Sequence, residues 1–136
     1  MVCDLQAETG GFTEFVPLPF VHMEAPTWRK GKARSGSGFR EAILMQAVAR
    51  IALHGCIDNI QASWVKLGEE EVLAALGAGV NDLGRILMDE SITRAAGGAD
   101  DPCFDVERMH RTVAAAGRVA LQRTIVYGRV DDKLMA

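Results

Sequence analysis

Two hydrophobic rhythms alternate along this chain. Phe12 to Leu18 is aromatic and β-branched, with glycines before it and Pro17 and Pro19 at its end, and it predicts a strand. Asn59 to Val65 alternates apolar and polar residues and predicts a second. Val80 to Gly84 and Val119 to Tyr127 predict two more. Between them lie helical patterns. Residues 1 to 9 read as a helix tail closed by Gly10. Phe39 to His54 is the clearest helix, with Arg40, Gln46, Arg50 and His54 forming a narrow polar stripe. Its remaining surface is so apolar that it requires packing on more than one side. Glu69-Glu70-Glu71 open a helix through Ala78, with acids at the positive end of the dipole. Ser91 to Ala96 reads as a helical turn. Asp105 caps a helix through Ala116 that places Val106, Met109, Val113 and Ala116 on one face.

Strand and helix therefore alternate, which predicts βαβ units and a parallel sheet. Gln61 and Ser63 would face one side of their strand, and Ile60, Ala62 and Trp64 the other. A barrel accommodates such strands, because its outer face packs on helices while its inner face can be polar near the C-terminal strand ends. A complete barrel has eight strands and about 250 residues. These 136 residues supply four strands, so the expected fold is half a barrel.

Composition narrows the picture. Apolar residues make up 49% of the chain, which excludes disorder as the main state. Apolar runs break long before about 20 residues, so no membrane span is expected. A net charge of −3 gives no general pull on nucleic acid. Cys3, Cys56 and Cys103 are far apart, in no metal-binding spacing, and are expected to be reduced thiols in a cytoplasmic protein. From Val21 to Gly38 the chain reads as a long irregular loop, and Arg29, Lys30, Lys32, Arg34 and Arg40 crowd twelve residues at its end with no acid between them. That loop is either simply solvated or an anion-contacting lid. His54 is better placed as a partner of the helix dipole than as a catalyst.

Several longer blocks carry a resemblance. They run from Glu8 to His22, with Phe15-Val16-Pro17-Leu18-Pro19-Phe20-Val21-His22 at their centre, then Phe39-Arg40-Glu41-Ala42 and Asn59 to Gly68. Asn81-Asp82-Leu83-Gly84, Met88 to Arg94, Gln122-Arg123-Thr124 and Tyr127 continue the set. Together the blocks resemble the carboxy-terminal half of the tyrosine-using subunit of the deazaflavin synthase, a radical S-adenosylmethionine enzyme of coenzyme F(420) biosynthesis. The resemblance implies an α/β fold, the C-terminal half of a radical SAM TIM-type barrel spanning residues 1–136. It also implies transfer of the hydroxybenzyl group of L-tyrosine to 5-amino-6-(D-ribitylamino)uracil, with a 4Fe–4S cluster and S-adenosyl-L-methionine as cofactors.

The family's Cys-x-x-x-Cys-x-x-Cys motif is absent, so the chain is expected to be inactive alone. It would be a fragment whose amino-terminal half is supplied in cis or in trans. Arg85-Ile86 and Thr27-Trp28 also depart from the family pattern. The deazaflavin-cyclising radical SAM subunit is a further expected partner. Similar barrels occur in that subunit and in the futalosine-pathway enzymes of menaquinone synthesis. A non-catalytic half-barrel that binds or assembles is the alternative of another class.

The expected substrate-binding residues are Glu14, His22, Gln61, Ser63, Asn81, Asp82, Glu90 and Arg123. Each also has a structural reading. Glu14 could pair with a neighbouring base, and His22 could be an idle loop residue. Gln61 and Ser63 suit a uracil or an amino-acid carboxylate, or else form a satisfied polar layer. Asn81 and Asp82 could be turn formers, and Glu90 could pair with Arg94. Arg123 inside a barrel needs an anion, from substrate or from a neighbouring acid. Trp64 is expected to pack on helices more than to stack on a ligand. Glu14, Gln61, Asp82 and Arg123 are expected to gather at one end of the sheet, with the basic loop beside them.

Overall fold

The computed structural model describes residues 1–84 and 106–130. Among these it contains helices α1 (Val2–Thr9), α2 (Pro26–Arg29), α3 (Phe39–Ala52), α4 (Trp64–Leu67), α5 (Glu69–Gly77) and α6 (Val106–Ala115). Helix α1 ends where expected, at Gly10, whose φ of 59° is the left-handed cap geometry. The turn at 91–96, the Asp105 cap, Arg85, Arg94 and Cys103 lie outside the described residues.

The strands are shorter than their sequence patterns. Three extended segments meet in two parallel bridges, Phe15 with Ile60 and Gln61 with Asp82. Phe15 N–H donates to the Asn59 carbonyl and Gln61 N–H to the Phe15 carbonyl, both at 2.9 Å. Ala62 N–H donates to the Asp82 carbonyl at 2.9 Å, and Asn81 N–H to the Ile60 carbonyl at 3.1 Å. Pro17 and Pro19 cannot donate, so the first segment ends there. The second ends at Ser63, where α4 starts.

The expected fourth strand, Val119 to Tyr127, is a correction. Residues 123 and 129 form one antiparallel bridge across a tight turn. Thr124 N–H donates to the Gly128 carbonyl, and Tyr127 N–H to the Thr124 carbonyl. That turn reverses the chain before a parallel strand can form. Val119, Leu121, Ile125 and Val126 are left exposed.

The core lies between the bridged segments and α5. Val72, Ala75 and Leu76 repeat at helical spacing on α5 and are buried against Ile60, Ala62, Val80 and Leu83. Helix α5 packs on α3, α4 and α6. Met109 and Val113 of α6, and Ala116 just after it, join the core as their spacing predicts, whereas Val106 is exposed. Trp64 packs against the same core.

Helix α3 departs most from its pattern. The middle of its polar stripe faces inward: Gln46 is 2% exposed and Arg50 reaches beneath the bridged segments, while Arg40 and His54 at the two ends are exposed. Arg50 donates to the carbonyls of Gly79 and Asp58, each at 2.7 Å, and to Asn81 Oδ1 at 2.8 Å. Three backbone or amide oxygens thus outcompete solvent for this guanidinium. Gly79 permits the approach. A Cβ there would lie 2.8 Å from Arg50 Cγ, and the φ of 107° already disfavours side chains. Leu44, Met45, Val48 and Ile51 are exposed in consequence.

The cysteine expectation is also corrected. Cys3 and Cys56 form a disulfide, with Cα atoms 5.5 Å apart, that joins α1 to the turn after α3. An odd count and wide sequence spacing carry no information on proximity in space. Helix α1 buries no residue of its own, so this bond and the Gln6 side chain, paired with the Phe12 backbone in both directions, hold it in place.

Three outcomes follow from this packing. Reduction of Cys3–Cys56 should cost about 2–4 kcal/mol, read as a lower melting temperature that Cys3→Ser reproduces. An unchanged melting point would show α1 held by other contacts.

Glu69 joins α5 to α6: Oε2 accepts from Arg108 at 2.7 and 2.9 Å, and Oε1 lies 3.0 Å from the Thr112 hydroxyl. The Arg108 bond first, and Thr112 second, hold this carboxyl below its usual 4.5. Its stabilising contribution is therefore complete above about pH 4.5 and is lost as pH falls through the lower folded value. Acid unfolding of Glu69→Gln should be correspondingly less steep below that pH. Equal steepness in both proteins would remove Glu69 from the account.

The exposed apolar face of α3 predicts self-association. Sedimentation should find species larger than the monomer, and Leu44→Glu should shift them toward monomer. A wild-type chain that is wholly monomeric at high concentration would refute this.

Candidate functional site

Strand alternation sorts the bridged residues onto two faces. Phe15, Ile60, Ala62 and Leu83 point into the helical core. Glu14, Gln61 and Asp82 take the other face, since parallel-bridged residues share a side. Asp82 is buried, and a buried carboxylate needs a cation or several donors. Arg123 supplies the cation from the C-terminal turn. Its Nε and Nη2 each lie 2.6 Å from Asp82 Oδ2. Nη2 is also 3.5 Å from Gln61 Oε1 and 3.6 Å from Glu14 Oε2. Nη1 donates to the Thr124 carbonyl at 3.0 Å.

Tyr127 completes the cluster. Its hydroxyl donates to Glu14 Oε2 at 2.5 Å, and the Arg123 guanidinium lies 4.0 Å from its ring centroid. Burial first, then the Asp82 and Glu14 carboxylates, push this phenol well above its usual range, so it stays a donor. Tyr127 takes a φ of 61°, a strained conformation for a tyrosine. Gly84 closes the other side. Its N–H donates to Asp82 Oδ1 at 2.6 Å, and a Cβ there would lie 2.6 Å from Gln61 Nε2.

The structure thus brings Glu14, Gln61, Asp82 and Arg123 together. It adds Tyr127, which the sequence pattern places inside a strand. No local signal separates a tyrosine in a strand from one in a turn that folds back. The other expected site residues lie elsewhere. Asn81 Oδ1 accepts from Arg50 and from the Ile60 N–H, each at 2.8 Å, which is structural work. His22 Nδ1 accepts from the Gly36 N–H at 3.0 Å, and its ring stands edge-on to Trp28 at 4.8 Å. Ser63 is the N-cap residue of α4 without a side-chain capping bond. Glu90 lies outside the described residues. In the basic loop, Arg29 pairs with Glu24 and Arg34 with Glu41, so these cations are engaged by near neighbours.

An apolar groove of about 510 Å³ separates residues 17–20 from α3, with Leu18, Phe20, Leu44, Met45 and Val48 in its wall. Among the described residues no cluster of three or more His, Cys, Asp or Glu is arranged to hold a metal ion. With Cys3 and Cys56 joined to each other, these residues do not fit an iron–sulfur cluster.

Comparison with known proteins gives a consistent result. The FO synthase of Nocardia farcinica is 50% identical over 129 residues, which cover 95% of this chain and 15% of that protein. The FO synthase of Mycobacterium leprae is 49% identical over 124 residues, 91% of this chain and 14% of the relative. The 5-amino-6-(D-ribitylamino)uracil–L-tyrosine 4-hydroxyphenyl transferase of Methanocaldococcus jannaschii is 44% identical over 127 residues, 93% of this chain and 35% of the relative. The chain therefore spans about one seventh of the two synthases and about one third of the transferase. No solved structure matches it significantly. Residues 9–134 match the family described as the CofH/MqnC C-terminal region, and the chain belongs to that family.

Proposed function

We propose that this chain is the substrate-holding, C-terminal half-barrel of a radical SAM transferase that joins a hydroxyphenyl-bearing fragment of L-tyrosine to 5-amino-6-(D-ribitylamino)uracil. The family match over residues 9–134 carries this reading, and the transferase among the relatives supplies the two substrates. The 4Fe–4S cluster and S-adenosyl-L-methionine are assigned to a portion bearing the Cys-x-x-x-Cys-x-x-Cys motif, which these 136 residues do not contain.

The chain's own contribution is placement. The polar face of the parallel bridges supports this, since it offers ordered hydrogen-bonding groups at the end of the extended segments. Such ends form the site in closed α/β barrels. The apolar face of α3 and its groove suit the cluster-bearing portion as their cover, because a contiguous exposed apolar surface marks a place where another surface is seated; in the isolated chain a second copy takes that place. The cytoplasm is the proposed compartment, where cellular thiols would tend to open Cys3–Cys56. Among the described residues no helix is long and apolar enough to cross a membrane.

The test is reconstitution. The chain, combined anaerobically with a portion bearing the Cys-x-x-x-Cys-x-x-Cys motif, should convert tyrosine and the diaminouracil into an adduct seen by mass spectrometry. The chain alone should give none. Asp82→Asn should lower the yield by at least about tenfold, since it removes the charge that seats Arg123. Failure of every such combination to form adduct would refute the reading.

A further inference from the structure

The cluster around Arg123 invites a carboxylate at first sight, yet its bonding argues for another ligand. Arg123 is already committed. Two of its nitrogens meet Asp82, one meets the Thr124 carbonyl, and Nη2 also faces Gln61 and Glu14. Two carboxylates against one guanidinium leave the cluster with an excess negative charge. An incoming carboxylate would meet that charge and find the guanidinium donors engaged.

What is left over points the other way. Glu14 Oε2 takes the Tyr127 hydroxyl, and the residue is about one third exposed. Its Oε1 has no donor among the described residues, so one carboxylate acceptor is open to a ligand. Gln61 is oriented by Arg123. Because the guanidinium faces Oε1, the amide must present Nε2 away from it, as a donor with no acceptor among the described residues. Both head groups sit within 3.6 Å of the same Arg123 nitrogen. One acceptor beside one donor is the complement of an adjacent N–H and C=O.

From this we infer that Glu14 and Gln61 form a subsite for the N–H/C=O edge of a cyclic ureide, with Arg123 and Tyr127 as positioning residues. Glu14 Oε1 accepts the ring N–H, and Gln61 Nε2 donates to the ring carbonyl. The inference rests on the proposed transferase function and refines it: the cluster reads the uracil substrate, and not the tyrosine carboxylate. Gly84 serves the subsite, since a Cβ would strike the Gln61 amide.

Binding to the 136-residue chain tests this, by calorimetry in anaerobic, thiol-free buffer. The probes are 5-amino-6-(D-ribitylamino)uracil, its analogue methylated at both ring nitrogens, and L-tyrosine. The diaminouracil should bind, and methylation of the ring N–H should weaken it about tenfold or more on the unaltered chain, the usual worth of a hydrogen bond to a charged group. Glu14→Gln should weaken the diaminouracil by a similar factor and tyrosine by less than about twofold, with an unchanged melting temperature. Arg123→Lys should shrink the preference for the unmethylated ring while the chain stays folded, which a purely structural arginine would not do. If methylation leaves affinity unchanged, the subsite is overturned while the transferase reading stands. The subsite is likewise overturned, and the transferase reading kept, if Glu14→Gln weakens tyrosine instead. Binding of neither substrate would overturn both.

Discussion

Asp82 is a carboxylate buried at the end of an extended segment, and the charge that makes it tolerable is that of Arg123 beside it, with the Gly84 N–H on its other oxygen. A lone buried charge costs several kcal/mol, and removing one partner of such a pair costs about 3–5 kcal/mol. This pair does more than neutralise. It draws the C-terminal turn, some forty residues away in sequence, onto the polar face of the parallel bridges. Once Arg123 is seated, Gln61 has a fixed amide orientation, Glu14 has a cation nearby, and Tyr127 has a surface to lie against. The strained φ of Tyr127 is held by these contacts.

A second arginine does comparable work on the other side of the bridges. Arg50 gathers the carbonyls of Asp58 and Gly79 and the side chain of Asn81, so α3 is fixed to the two segments that carry Gln61 and Asp82. A third, Arg118, donates to the carbonyls of Val80 and Leu76 at 2.7 and 2.8 Å and ties the end of α6 to α5. Short strands leave many carbonyls without ladder partners, and a guanidinium is well suited to collect them. Two parallel bridges alone would be a weak framework; with these arginines they hold the polar cluster in place.

Reading the chain in one dimension went furthest where the signal was local. The 3.6-residue spacing of Val72, Ala75 and Leu76 and the glycine cap of α1 placed helices near their observed bounds. Period-two alternation placed Ile60 and Ala62 in the core and Gln61 on the polar face. It failed at 119–127, where the same apolar–polar spacing is used by an exposed turn. It failed again on α3. A polar stripe normally faces water, but Gln46 and Arg50 face inward because Arg50 has three oxygens to satisfy there.

Sequence by itself determined the family, most helices, the core face of α5, and four of the five residues that meet at the polar cluster. These follow from residue type and spacing, which are local properties. Only the tertiary structure decided which of the polar candidates meet. Asn81 and Asp82 are neighbours in sequence, yet alternation sends one to Arg50 and the other to Arg123. Tyr127 joins the cluster, and Cys3 finds Cys56, through contacts between residues more than fifty apart in sequence. Such pairings depend on where the chain reverses and on which charge is nearest in space, and neither quantity is written in the order of the residues.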